Sequence, residues 1–373
     1  MNQRYDVCII GGGAAGLAAA ASIDRRIRTC ILEKNEILGR KILATGGGRC
    51  NLTNAGCEGA SATLDFFGSL GLETIRDAEE RFYPYSGCAS DVVKALEEAV
   101  RGNGCEVRTG CIVEAVEVDE TSRGRFRVHT AAAAEAIEAD VVVLAAGGKA
   151  APQYGTIGDG YRMARKLGHR VSRLYPILTG IECGDLSDLH GIRARAEVSL
   201  KKDGAVIAAE TGEVQLLRDG ISGICVFNLT PFICAEEGER PEEAFPRYEL
   251  VLDLAPDFTR EQIDARISEG RSSFGILNEK LAGRVSLAEI KEWRLPVRGI
   301  KGWKHAQCTA GGVLMEEIDG ETMESRLVPG LYFAGEILNV QGPCGGYNLQ
   351  NAWETGRKAA ADINAVFLRG RDR

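Results

Sequence analysis

The sequence lacks a long apolar run, and it also lacks an apolar leader behind a charged N-terminal stretch. No segment approaches the ~18 apolar residues that a membrane-spanning helix needs, and "MNQRYDVCIIGGG" passes directly into a strand and a turn pattern. The first absence argues against a membrane protein and the second against a secretory signal peptide. We therefore expect a soluble, cytoplasmic protein that does not act on a membrane.

Paired cysteine motifs are also missing, although the chain contains 12 cysteines. They are scattered singly, without a C-x-x-C pair or the spacing of a zinc site. Histidine is scarce, with 4 residues in the whole chain. The sequence therefore predicts reduced thiols and no metal centre.

Positive charge is in deficit, because 45 Lys and Arg residues against 53 Asp and Glu residues give a net charge of -8. A general nucleic-acid binder gains affinity by neutralising phosphates with Lys and Arg. The deficit favours a small-molecule substrate and no nucleic-acid partner. At 373 residues the chain exceeds the ~250 residues at which single cores stop growing, so we expect two or three domains. The oligomeric state stays unknown.

A glycine motif is the first positive feature. The segment "YDVCII", Tyr5–Ile10, is typical of a buried strand, and the alanine-rich "AAGLAAAASIDRR" after it predicts a helix. Between them Gly11, Gly13 and Gly16 have the spacing G-x-G-x-x-G in the strand–turn–helix context of a dinucleotide site. The first glycine would make the tight turn, the second would let backbone approach a pyrophosphate, and the third would let helix and strand pack closely.

An acidic residue follows at the spacing expected for a ribose contact. The segment "RTCILEK", Arg28–Lys34, predicts a second strand that ends in Glu33. A carboxylate there accepts hydrogen bonds from the ribose hydroxyls of an adenosine and would repel a 2′-phosphate. From these residues alone the dinucleotide is either NAD or FAD.

The chain then departs from a simple NAD dehydrogenase, which would continue as alternating strands and helices. The segments Cys105–Val118, Arg125–Thr130 and Ala136–Ala139 predict a short antiparallel meander with a turn at "TSRG". The apolar run "ADVVVLAAGG", Ala139–Gly148, then predicts a buried parallel strand whose small terminal residues let the chain pass close to a cofactor.

The C-terminal part repeats this pattern. The segment "GLYFAGE", Gly330–Glu336, predicts a strand with a glycine and an acid at its end. Further on, Gly345 and Gly346 precede a predicted helix that begins near Tyr347 or Asn348. Its N-terminus is available to a polar or anionic group. We therefore expect the chain to return at its end to the domain in which it starts.

Three strings carry a resemblance to a known family: "GRKILATGGGRCNLTN" (Gly39–Asn54), "YGTIGDGY" (Tyr154–Tyr161) and "CTAGGVLMEEIDGETMESRLVPGLYFAGEILNVQGPCGGYNLQNAW" (Cys308–Trp353). With them the chain resembles the two-dinucleotide-binding-domain flavoproteins. Within these it is similar to the NAD(P)/FAD-dependent oxidoreductases that include aminoacetone oxidase and bile-acid 4,6-dienone reductases. The resemblance covers most of the chain and implies FAD as the cofactor, with NAD(P)H as a candidate co-substrate. It does not identify the substrate, because members act on different compounds.

The resemblance also implies a set of FAD contacts. Gly11, Gly13 and Gly16 would hold the pyrophosphate, Glu33 the ribose, and the backbone of Val113 the adenine. The other implied contacts lie in the first helix, after Glu33, at later strand ends and at the start of the last helix: Ala14, Ala15, Lys34, Arg40, Lys41, Thr45, Gly46, Gly47, Arg49, Cys50, Asn51, Ala146, Gly147, Gly335, Glu336, Gly346, Tyr347, Asn348 and Leu349. The catalytic residues are left unknown, since the cofactor carries the hard chemistry.

A second triple-glycine run lies in "ILATGGGRCNLTN", Ile42–Asn54. A second phosphate loop would need a strand directly before it and a helix directly after it, and neither pattern is convincing. We interpret the run as an extension of the first site, in which Thr45–Asn51 brings glycine backbone close to the pyrophosphate and flavin. Arg49, Cys50 and Asn51 are the candidates for touching the flavin ring.

The middle of the chain has a different pattern. From Ile192 to Leu254 short strands alternate with turns, and Asp203-Gly204 marks a hairpin tip, so this part predicts an antiparallel β domain. Between Pro256 and Pro296 the pattern is helical, with capping boxes at Thr259–Gln262 and Ser286–Glu289. The family resemblance implies the same arrangement, a β-barrel-like insert that contains a small helical unit.

One string departs from the family. Val214–Cys225 is "VQLLRDGISGIC", where members have a string of the "LFTH" type, so leucine or arginine replaces a histidine or threonine expected near the flavin. This leaves the substrate class open. The middle region also lacks a second G-x-G-x-x-G after a strand, which disulfide reductases use for NAD(P)H.

The predicted fold class is α/β. It consists of a Rossmann-like FAD-binding domain with a β-meander, plus an inserted antiparallel β-barrel-like domain that carries a small helical subdomain. The predicted FAD-binding domain comprises residues 1–190 and 307–373, the β insert 191–255 and 296–306, and the helical subdomain 256–295.

The predicted function is that of an FAD-dependent oxidoreductase, which transfers a hydride between flavin and a small organic substrate. NAD(P)H-dependent reduction of an enone or dienone is favoured. The alternatives are an oxygen-dependent amine (aminoketone) oxidase, a non-catalytic flavin-binding module, and an RNA-modifying flavoprotein, which the acidic balance weakens. The electron donor or acceptor stays open at this stage.

Overall fold

A computed structural model describes residues 4–119, 125–131, 135–236 and 238–371. The chain forms two compact units. Unit 1 comprises Met1–Leu174 and Cys308–Arg373, and unit 2 comprises Tyr175–Gln307. Each unit has its own hydrophobic core. In chain order, unit 2 is therefore an insertion into unit 1.

The first part of unit 1 is built around a largely parallel sheet. Its elements are β1 Arg4–Ile10, α1 Ala14–Ser22, β2 Thr29–Leu32, β3 Thr53–Asn54, α2 Ala60–Ser69, β4 Thr74–Arg76, β5 Arg81–Pro84, α3 Ala89–Gly102, β6 Glu106–Arg108, β7 Val113–Val118, β8 Phe126–Thr130, β9 Ile137–Leu144 and α4 Asp159–Lys166. The main sheet has the order β6-β2-β1-β9-β8-β7, and β1 pairs in parallel with both β2 and β9. All four residues of β2 are buried, as expected where a parallel sheet is covered on both faces.

Strand β9 is one continuous strand, where the sequence predicted two segments. Its first residues pair antiparallel with β8, with Val128 opposite Ile137, and residues 138–144 pair in parallel with β1. The predicted meander needs one further correction: β6 pairs in parallel with β2 and is not part of it. Parallel neighbours require a crossover, and α3 precedes β6 to provide one. The predicted "TSRG" turn, residues 121–124, lies outside the described residues.

Unit 2 is built around an antiparallel sheet. Its elements are β10 Tyr175–Ile177, β11 Ile181–Glu182, β12 Arg193–Lys202, β13 Ala205–Leu216, β14 Gly220–Ser222, α5 Ile224–Leu229, α6 Pro241–Ala244, β15 Tyr248–Asp253, α7 Arg260–Ser268, α8 Glu279–Ala282, β16 Trp293–Pro296 and β17 Gly299–Ile300. The sheet order is β16-β15-β12-β13-β14-β11-β17. The predicted hairpin tip is confirmed, because Asp203 and Gly204 both have left-handed φ values, 51° and 85°.

The sheet of unit 2 curls back on itself. In a flat sheet of seven strands, the six spacings of about 4.8 Å would place the outer strands about 29 Å apart. The outer strands β16 and β17 are nevertheless joined through residues 297 and 298 alone, a link that spans ~11 Å at most. The curvature agrees with the predicted barrel-like insert.

The helical part of unit 2 matches one predicted capping box. Thr259 and Gln262 form the reciprocal side-chain-to-backbone pair at the start of α7. The second box does not start a helix: the Ser286 hydroxyl donates to the Glu289 carboxylate over 2.7 Å, and turns follow. The Glu289 carboxylate also accepts from the Ser286 backbone N–H over 3.2 Å, so the pair closes a turn.

The boundary of the insert also differs from the prediction. Strand β11 lies within the sheet of unit 2, although the sequence assigned residues up to 190 to the first domain. A strand of two residues has too little periodicity to be recognised. The division of the insert into a β domain, residues 191–255 with 296–306, and a helical subdomain, residues 256–295, stays a prediction.

The chain returns to unit 1 with β18 Cys308–Ala310, β19 Leu331–Phe333 and α9 Tyr347–Arg371. Strand β19 pairs in parallel with β9, with Phe333 opposite Leu144. Helix α9 lies so close to α1 that a Cβ on Gly356 would be 2.3 Å from the carbonyl oxygen of Ala15. The predicted return of the chain is confirmed. Within the described ranges, no helix combines the length and the apolar character that crossing a membrane requires.

Candidate functional site

The predicted cofactor residues collect mainly at one edge of the main sheet of unit 1. Strands β2, β1, β9 and β19 are parallel, so their carboxyl ends lie side by side. The residues directly after these strand ends are Glu33, Gly11, Ala145 and Ala334. Open α/β sheets bind ligands in the crevice at this edge.

The first glycine turn has two glycines that packing requires and one that it does not. A Cβ on Gly11 would lie 2.4 Å from the carbonyl oxygen of Ala145, and a Cβ on Gly16 would lie 1.9 Å from that of Gly11. Gly13 has an ordinary φ of -86°, and a Cβ there would meet no described atom within 4 Å. The space beside Gly13 is open at the N-terminus of α1, where an anionic group is stabilised. Ala14 and Ala15 are the first two residues of that helix.

The Glu33 carboxylate ties this turn to the end of β2. Its Oε2 accepts a hydrogen bond from the Gly12 N–H over 2.7 Å. Its Oε1 accepts from the backbone N–H and the side-chain amide of Asn35, over 2.8 and 2.6 Å. Oε1 thus accepts two hydrogen bonds and Oε2 only one, and a carboxylate oxygen has two lone pairs. Oε2 can therefore still accept a ribose hydroxyl.

A buried ion pair joins two segments far apart in the chain. Lys41 Nζ lies 2.8 Å from Glu336 Oε2, and both side chains are mostly buried. Burial penalises the charge of Lys41, but the Glu336 carboxylate outweighs that penalty and the pKa of Lys41 is raised. Lys41 therefore stays protonated at neutral pH.

Thr309 links this pair to the loop after β9. Its N–H donates to Glu336 Oε1 over 2.9 Å, and its hydroxyl oxygen accepts from the N–H groups of Lys149 and Ala150 over 2.8 and 3.0 Å. A Cβ on Gly148 would lie 2.5 Å from that hydroxyl oxygen and 2.7 Å from Glu336 Oε1. Gly148 therefore has no room for a side chain.

The glycines of the second triple-glycine run have left-handed backbone conformations. A 3₁₀ turn spans Ile42–Gly47, and Gly46, Gly47 and Gly48 have left-handed φ values of 57°, 67° and 86°. A Cβ on Gly47 would meet no described atom within 4 Å. At Gly47, glycine is therefore needed for its backbone conformation and not because neighbours exclude a side chain. Thr45 closes the turn by donating its hydroxyl to the Ile42 carbonyl over 2.7 Å.

The three residues after this run differ in what they offer a ligand. The Arg49 guanidinium is exposed and lies 4.5 Å from the centre of the Tyr83 ring. Cys50 is buried, and burial raises the pKa of its thiol to about 12. Asn51 is 8% exposed, and its Oδ1 has no hydrogen-bond partner in the described chain. Of the three, Asn51 is the one with an unsatisfied buried acceptor.

The start of α9 lies directly against Asn51. Gly346 has a φ of 109°, and a Cβ there would be 2.7 Å from the Thr53 carbonyl carbon and 2.9 Å from Asn51 Oδ1. The Asn348 side chain holds the preceding loop, since its Oδ1 accepts from the Gly342 N–H over 3.0 Å and its Nδ2 donates to the Gly342 carbonyl over 2.9 Å. The first N–H groups of a helix have no partner within it and carry its positive dipole end.

Two more residues of α9 belong to the predicted site. The Tyr347 hydroxyl lies 3.4 Å from Asn54 Oδ1. Leu349 is partly buried and packs against the core of unit 1. Both therefore help to dock the helix start.

The other predicted residues are placed as follows. Lys34 pairs with the Asp159 carboxylate at the start of α4, and Arg40 donates to Asn35 Oδ1 over 3.0 Å. Val113 begins β7 and is buried. Ala146 and Gly147 follow β9, and Gly335 follows β19, where its N–H donates to Thr355 Oγ1 over 2.9 Å. The FAD contacts assigned to all these residues stay predictions.

Sequence reasoning missed several side chains that hold the site together. Besides Thr309 and Thr355, these include Gln350, whose Oε1 accepts the Thr53 hydroxyl over 2.7 Å, and Trp353, whose indole N–H donates to the Leu52 carbonyl over 2.9 Å. Both lie in the string "NLQNAW", and the side chains of Gln350 and Trp353 are both buried. The signal in the sequence was a polar side chain on an otherwise apolar face of a predicted helix. Because buried polar groups are normally hydrogen-bonded, such a side chain predicts a hydrogen bond to a neighbouring segment.

A metal site and a disulfide each require particular side chains close together. Across the described ranges, no three His, Cys, Asp or Glu side chains come together in a way that could hold a metal ion. All of the cysteines are free thiols.

Comparison with known proteins identifies relatives over nearly the whole chain. The family described as HI0933-like protein Rossmann domain matches residues 5–61 and 59–362. The 3-dehydro-bile acid delta(4,6)-reductase of Clostridium scindens is 35% identical, over 93% of this chain and 96% of that protein. The ribosomal RNA dihydrouridine synthase of Escherichia coli is 30% identical, over 98% of this chain and 99% of that protein.

Solved structures show the fold. The 3-ketosteroid-delta4-(5alpha)-dehydrogenase from Rhodococcus jostii RHA1, in complex with 4-androstene-3,17-dione, has a TM-score of 0.54 at 14% identity and 97% coverage of both chains. A flavocytochrome c3 fumarate reductase has a TM-score of 0.51 at 15% identity, over 97% of this chain and 78% of that chain. At these identities the likeness extends to the fold alone.

Proposed function

Since the chain belongs to the HI0933-like family and is an FAD-dependent oxidoreductase, we propose that it reduces a carbon–carbon double bond conjugated to a ketone. NAD(P)H is the proposed electron donor. The observation that carries the proposal is the 35% identity, over nearly the full length of both proteins, to a 3-dehydro-bile acid delta(4,6)-reductase. That name describes a ketone conjugated with two double bonds, which is a dienone.

The residues at the sheet edge fit FAD. The open space beside Gly13 at the start of α1 suits a pyrophosphate, and Glu33 Oε2, which accepts one hydrogen bond, has a further lone pair for a ribose hydroxyl. Asn51 presents a buried acceptor without a partner in the described chain, beside the start of α9. When bound, FAD supplies hydride transfer, which is the chemistry that this reduction needs.

In this proposal the protein side chains bind and orient. Lys41 is protonated and held by Glu336, and the Cys50 thiol is kept neutral by burial. The ion pair and Thr309 fix the loop after β9 against the segment after β19. A fixed cofactor site of this kind requires no reorganisation when the ligand binds.

The sequence contains no second dinucleotide fingerprint in unit 2. We therefore propose that NAD(P)H and the substrate use the same flavin in turn, without a separate nicotinamide domain. Such alternation predicts ping-pong kinetics. Parallel lines in double-reciprocal plots would support it, and intersecting lines would contradict it.

Reduction of uracil in RNA is the second candidate, because a ribosomal RNA dihydrouridine synthase is 30% identical over nearly the full chain. Dihydrouridine is uridine whose carbon–carbon double bond, conjugated to a carbonyl, has been reduced. The two candidates therefore share a reaction class and differ in substrate. The net charge of -8 counts against a polynucleotide, whose binding depends on Lys and Arg contacts to phosphates.

The test is anaerobic mixing of the purified protein with NADH or NADPH, followed by a substrate. We expect loss of the oxidised flavin absorbance with one of the two donors, and its return on addition of a 3-keto-4,6-diene steroid. Return with unmodified ribosomal RNA and not with the steroid would favour the second candidate. Flavin that neither donor reduces, but that amines reduce, would overturn both reductase proposals in favour of an oxidase.

A further inference from the structure

Asn51 has a buried oxygen whose partner is absent from the described chain. The residue is 8% exposed, and its Oδ1 is fully enclosed but accepts no hydrogen bond from any described group. An enclosed carbonyl oxygen without a donor destabilises a folded protein, and nearly all such groups in native structures have one. The position therefore indicates a donor that the polypeptide does not supply.

This oxygen lies beside the start of helix α9. A Cβ on Gly346 would lie 2.9 Å from Asn51 Oδ1 and 2.8 Å from the Thr53 carbonyl oxygen, so only glycine fits between them. Helix α9, 25 residues long, begins at the next residue, Tyr347. The free N–H groups of its first turn lie at the same end. An acceptor, Asn51 Oδ1, is thus placed beside a set of backbone donors.

We infer that Asn51 is a positioning residue for FAD, whose side-chain oxygen accepts a hydrogen bond from the N3–H of the isoalloxazine. The pyrimidine edge of that ring is an imide, in which one N–H lies between two carbonyl groups. An acceptor for the N–H and, beside it, donors for a neighbouring carbonyl group complement this edge, and Asn51 and the start of α9 provide both. The inference rests on FAD binding and is independent of the proposed donor and substrate.

This hydrogen bond would control which flavin the site accepts. A flavin with a methyl group on N3 has lost the donor that Asn51 needs, so the buried oxygen would again have no partner. The bond would also stabilise the protonated form of N3, because hydrogen bonding to one protonation state favours that state. The N3–H of bound FAD should therefore have a higher pKa than that of free FAD.

Thr63 offers a matched control in the same unit. Its Oγ1 is also enclosed and without a hydrogen-bond partner in the described chain, but it lies on α2 and none of the predicted FAD contacts involves it. Thr63→Val removes an unpartnered polar atom of comparable burial. It should leave every flavin measurement unchanged.

The experiment uses the full chain, stripped of flavin and reconstituted with FAD or with 3-methyl-FAD. Dissociation constants are measured by flavin fluorescence for the wild type, Asn51→Ala, Asn51→Asp and Thr63→Val. The absorbance of bound FAD is also followed as pH rises, which reports the ionisation of N3–H. The alanine variant leaves space for the extra methyl group, and the aspartate variant keeps an acceptor oxygen.

We expect the wild type and Thr63→Val to bind FAD about tenfold more tightly than 3-methyl-FAD, the ratio that loss of one buried hydrogen bond produces. In Asn51→Ala that ratio should fall to about one, and Asn51→Asp should restore it. The pKa of N3–H should be raised in the wild-type complex and close to that of free FAD in Asn51→Ala. If the alanine variant does not fold, the inference is decided by two wild-type measurements: the pKa of N3–H in bound FAD, and the ratio of the affinities for FAD and 3-methyl-FAD.

Two results would overturn the inference. If the wild type and Asn51→Ala discriminate equally between the two flavins, a bound water satisfies the Asn51 oxygen and the residue does not position the ring. If N3–H of wild-type bound FAD ionises as in free FAD, the same conclusion follows. A wild-type protein that binds neither flavin would instead refute the cofactor itself, whereas failure to reduce a dienone would leave the ratio and the titration unaffected.

Discussion

Two triple-glycine runs in unit 1 look alike in sequence and differ in why they contain glycine. In Gly11–Gly16 the neighbours exclude side chains, since added Cβ atoms on the first and last residues would lie 2.4 and 1.9 Å from carbonyl oxygens. In Gly46–Gly48 the φ values of 57°, 67° and 86° are unfavourable for side chains, but at Gly47 a Cβ would meet no described atom within 4 Å. Space excludes a side chain at Gly16, backbone conformation disfavours one at Gly47, and both apply at Gly11, whose φ is 108°.

Gly13 fits neither explanation, and this makes it informative. Its φ of -86° suits any residue, and the described chain leaves room for a Cβ. Neither packing nor conformation explains glycine at this position. The remaining explanation is a ligand that passes close to the backbone.

The largest effect is expected from Gly16→Ala. The new Cβ would collide with the Gly11 carbonyl oxygen at 1.9 Å, and because that atom belongs to backbone, the turn itself must move. We expect a loss of about 3 kcal/mol or more in the free energy of unfolding, measured by urea denaturation of the apoprotein.

Gly68→Ala is the matched control for this change. A Cβ on Gly68 would meet no described atom within 4 Å, and the residue lies within α2, where alanine is the better helix former. It should be neutral or stabilising by up to about 1 kcal/mol. Equal destabilisation by the two changes would show that space does not limit the first run.

Gly13→Val should separate ligand binding from folding. Because the position has an ordinary φ and free space, we expect the unfolding free energy of the apoprotein to change by less than about 0.5 kcal/mol. The side chain would occupy the path of the pyrophosphate, so FAD should bind at least about 100-fold more weakly, equivalent to about 2.7 kcal/mol. Fluorescence titration with FAD checks this, and unchanged affinity would overturn the assignment of this turn.

Gly47→Ala should have a smaller effect on stability. The left-handed φ of 67° costs an alanine about 1 kcal/mol, with no collision to add to it. Gly302→Ala is the control, since a Cβ there is equally free and its φ lies outside the left-handed region. If thermal unfolding shows both variants to be as stable as the wild type, conformation is not what selects glycine in the second run.

The smallest effect is expected from pH, through a buried cluster away from both runs. His169 Nδ1 lies 3.1 Å from Glu317 Oε2, and its Nε2 lies 2.9 Å from Ser325 Oγ. Burial lowers the pKa of His169 more than the Glu317 carboxylate raises it. The unfolded chain therefore takes up the proton first, so the stabilisation is complete above the unfolded pKa of about 6.5 and is lost as pH falls below it.

Between pH 7 and pH 6 we expect a loss of a few tenths of a kcal/mol in the free energy of unfolding. Urea denaturation at the two pH values measures it, and His169→Gln should remove most of the difference. The loss should be the same in the Gly16→Ala and Gly47→Ala proteins, because distant sites are additive. A pH dependence that differs between the two glycine variants would mean that the cluster and the turns are coupled.

Much of the fold was predictable where the signal was local. The strand, turn and helix around Gly11–Gly16, the hairpin tip at Asp203-Gly204 and the start of α9 each depend on a few adjacent residues, and all three are confirmed. The errors arose where the place of a strand in the sheet depends on pairing with a strand that is distant in the sequence. Strand β6 was assigned to the meander because a three-residue segment does not indicate its partner, which is β2.

The candidate site was predictable in its residues more than in its interactions. Lys41 and Glu336 were both predicted, but their ion pair joins positions far apart in the chain. Asn51 was named as a residue that could touch the flavin, yet the missing partner of its oxygen becomes visible only when Gly346 is placed beside it. Sequence spacing does not encode such juxtapositions, because they depend on the packing of α9.

The packing of α9 against α1 also has a consequence for synthesis of the protein. About 325 residues separate the end of α1 from the start of α9, and translation at roughly 5 to 20 residues per second takes about 16 to 65 s to cover that distance. Throughout this interval the apolar face of α1 and the backbone around Ala15 lack the helix that covers them. Helix α1 is thus complete well before the helix that covers it, and any cofactor that needs α9 can bind only after α9 has been made.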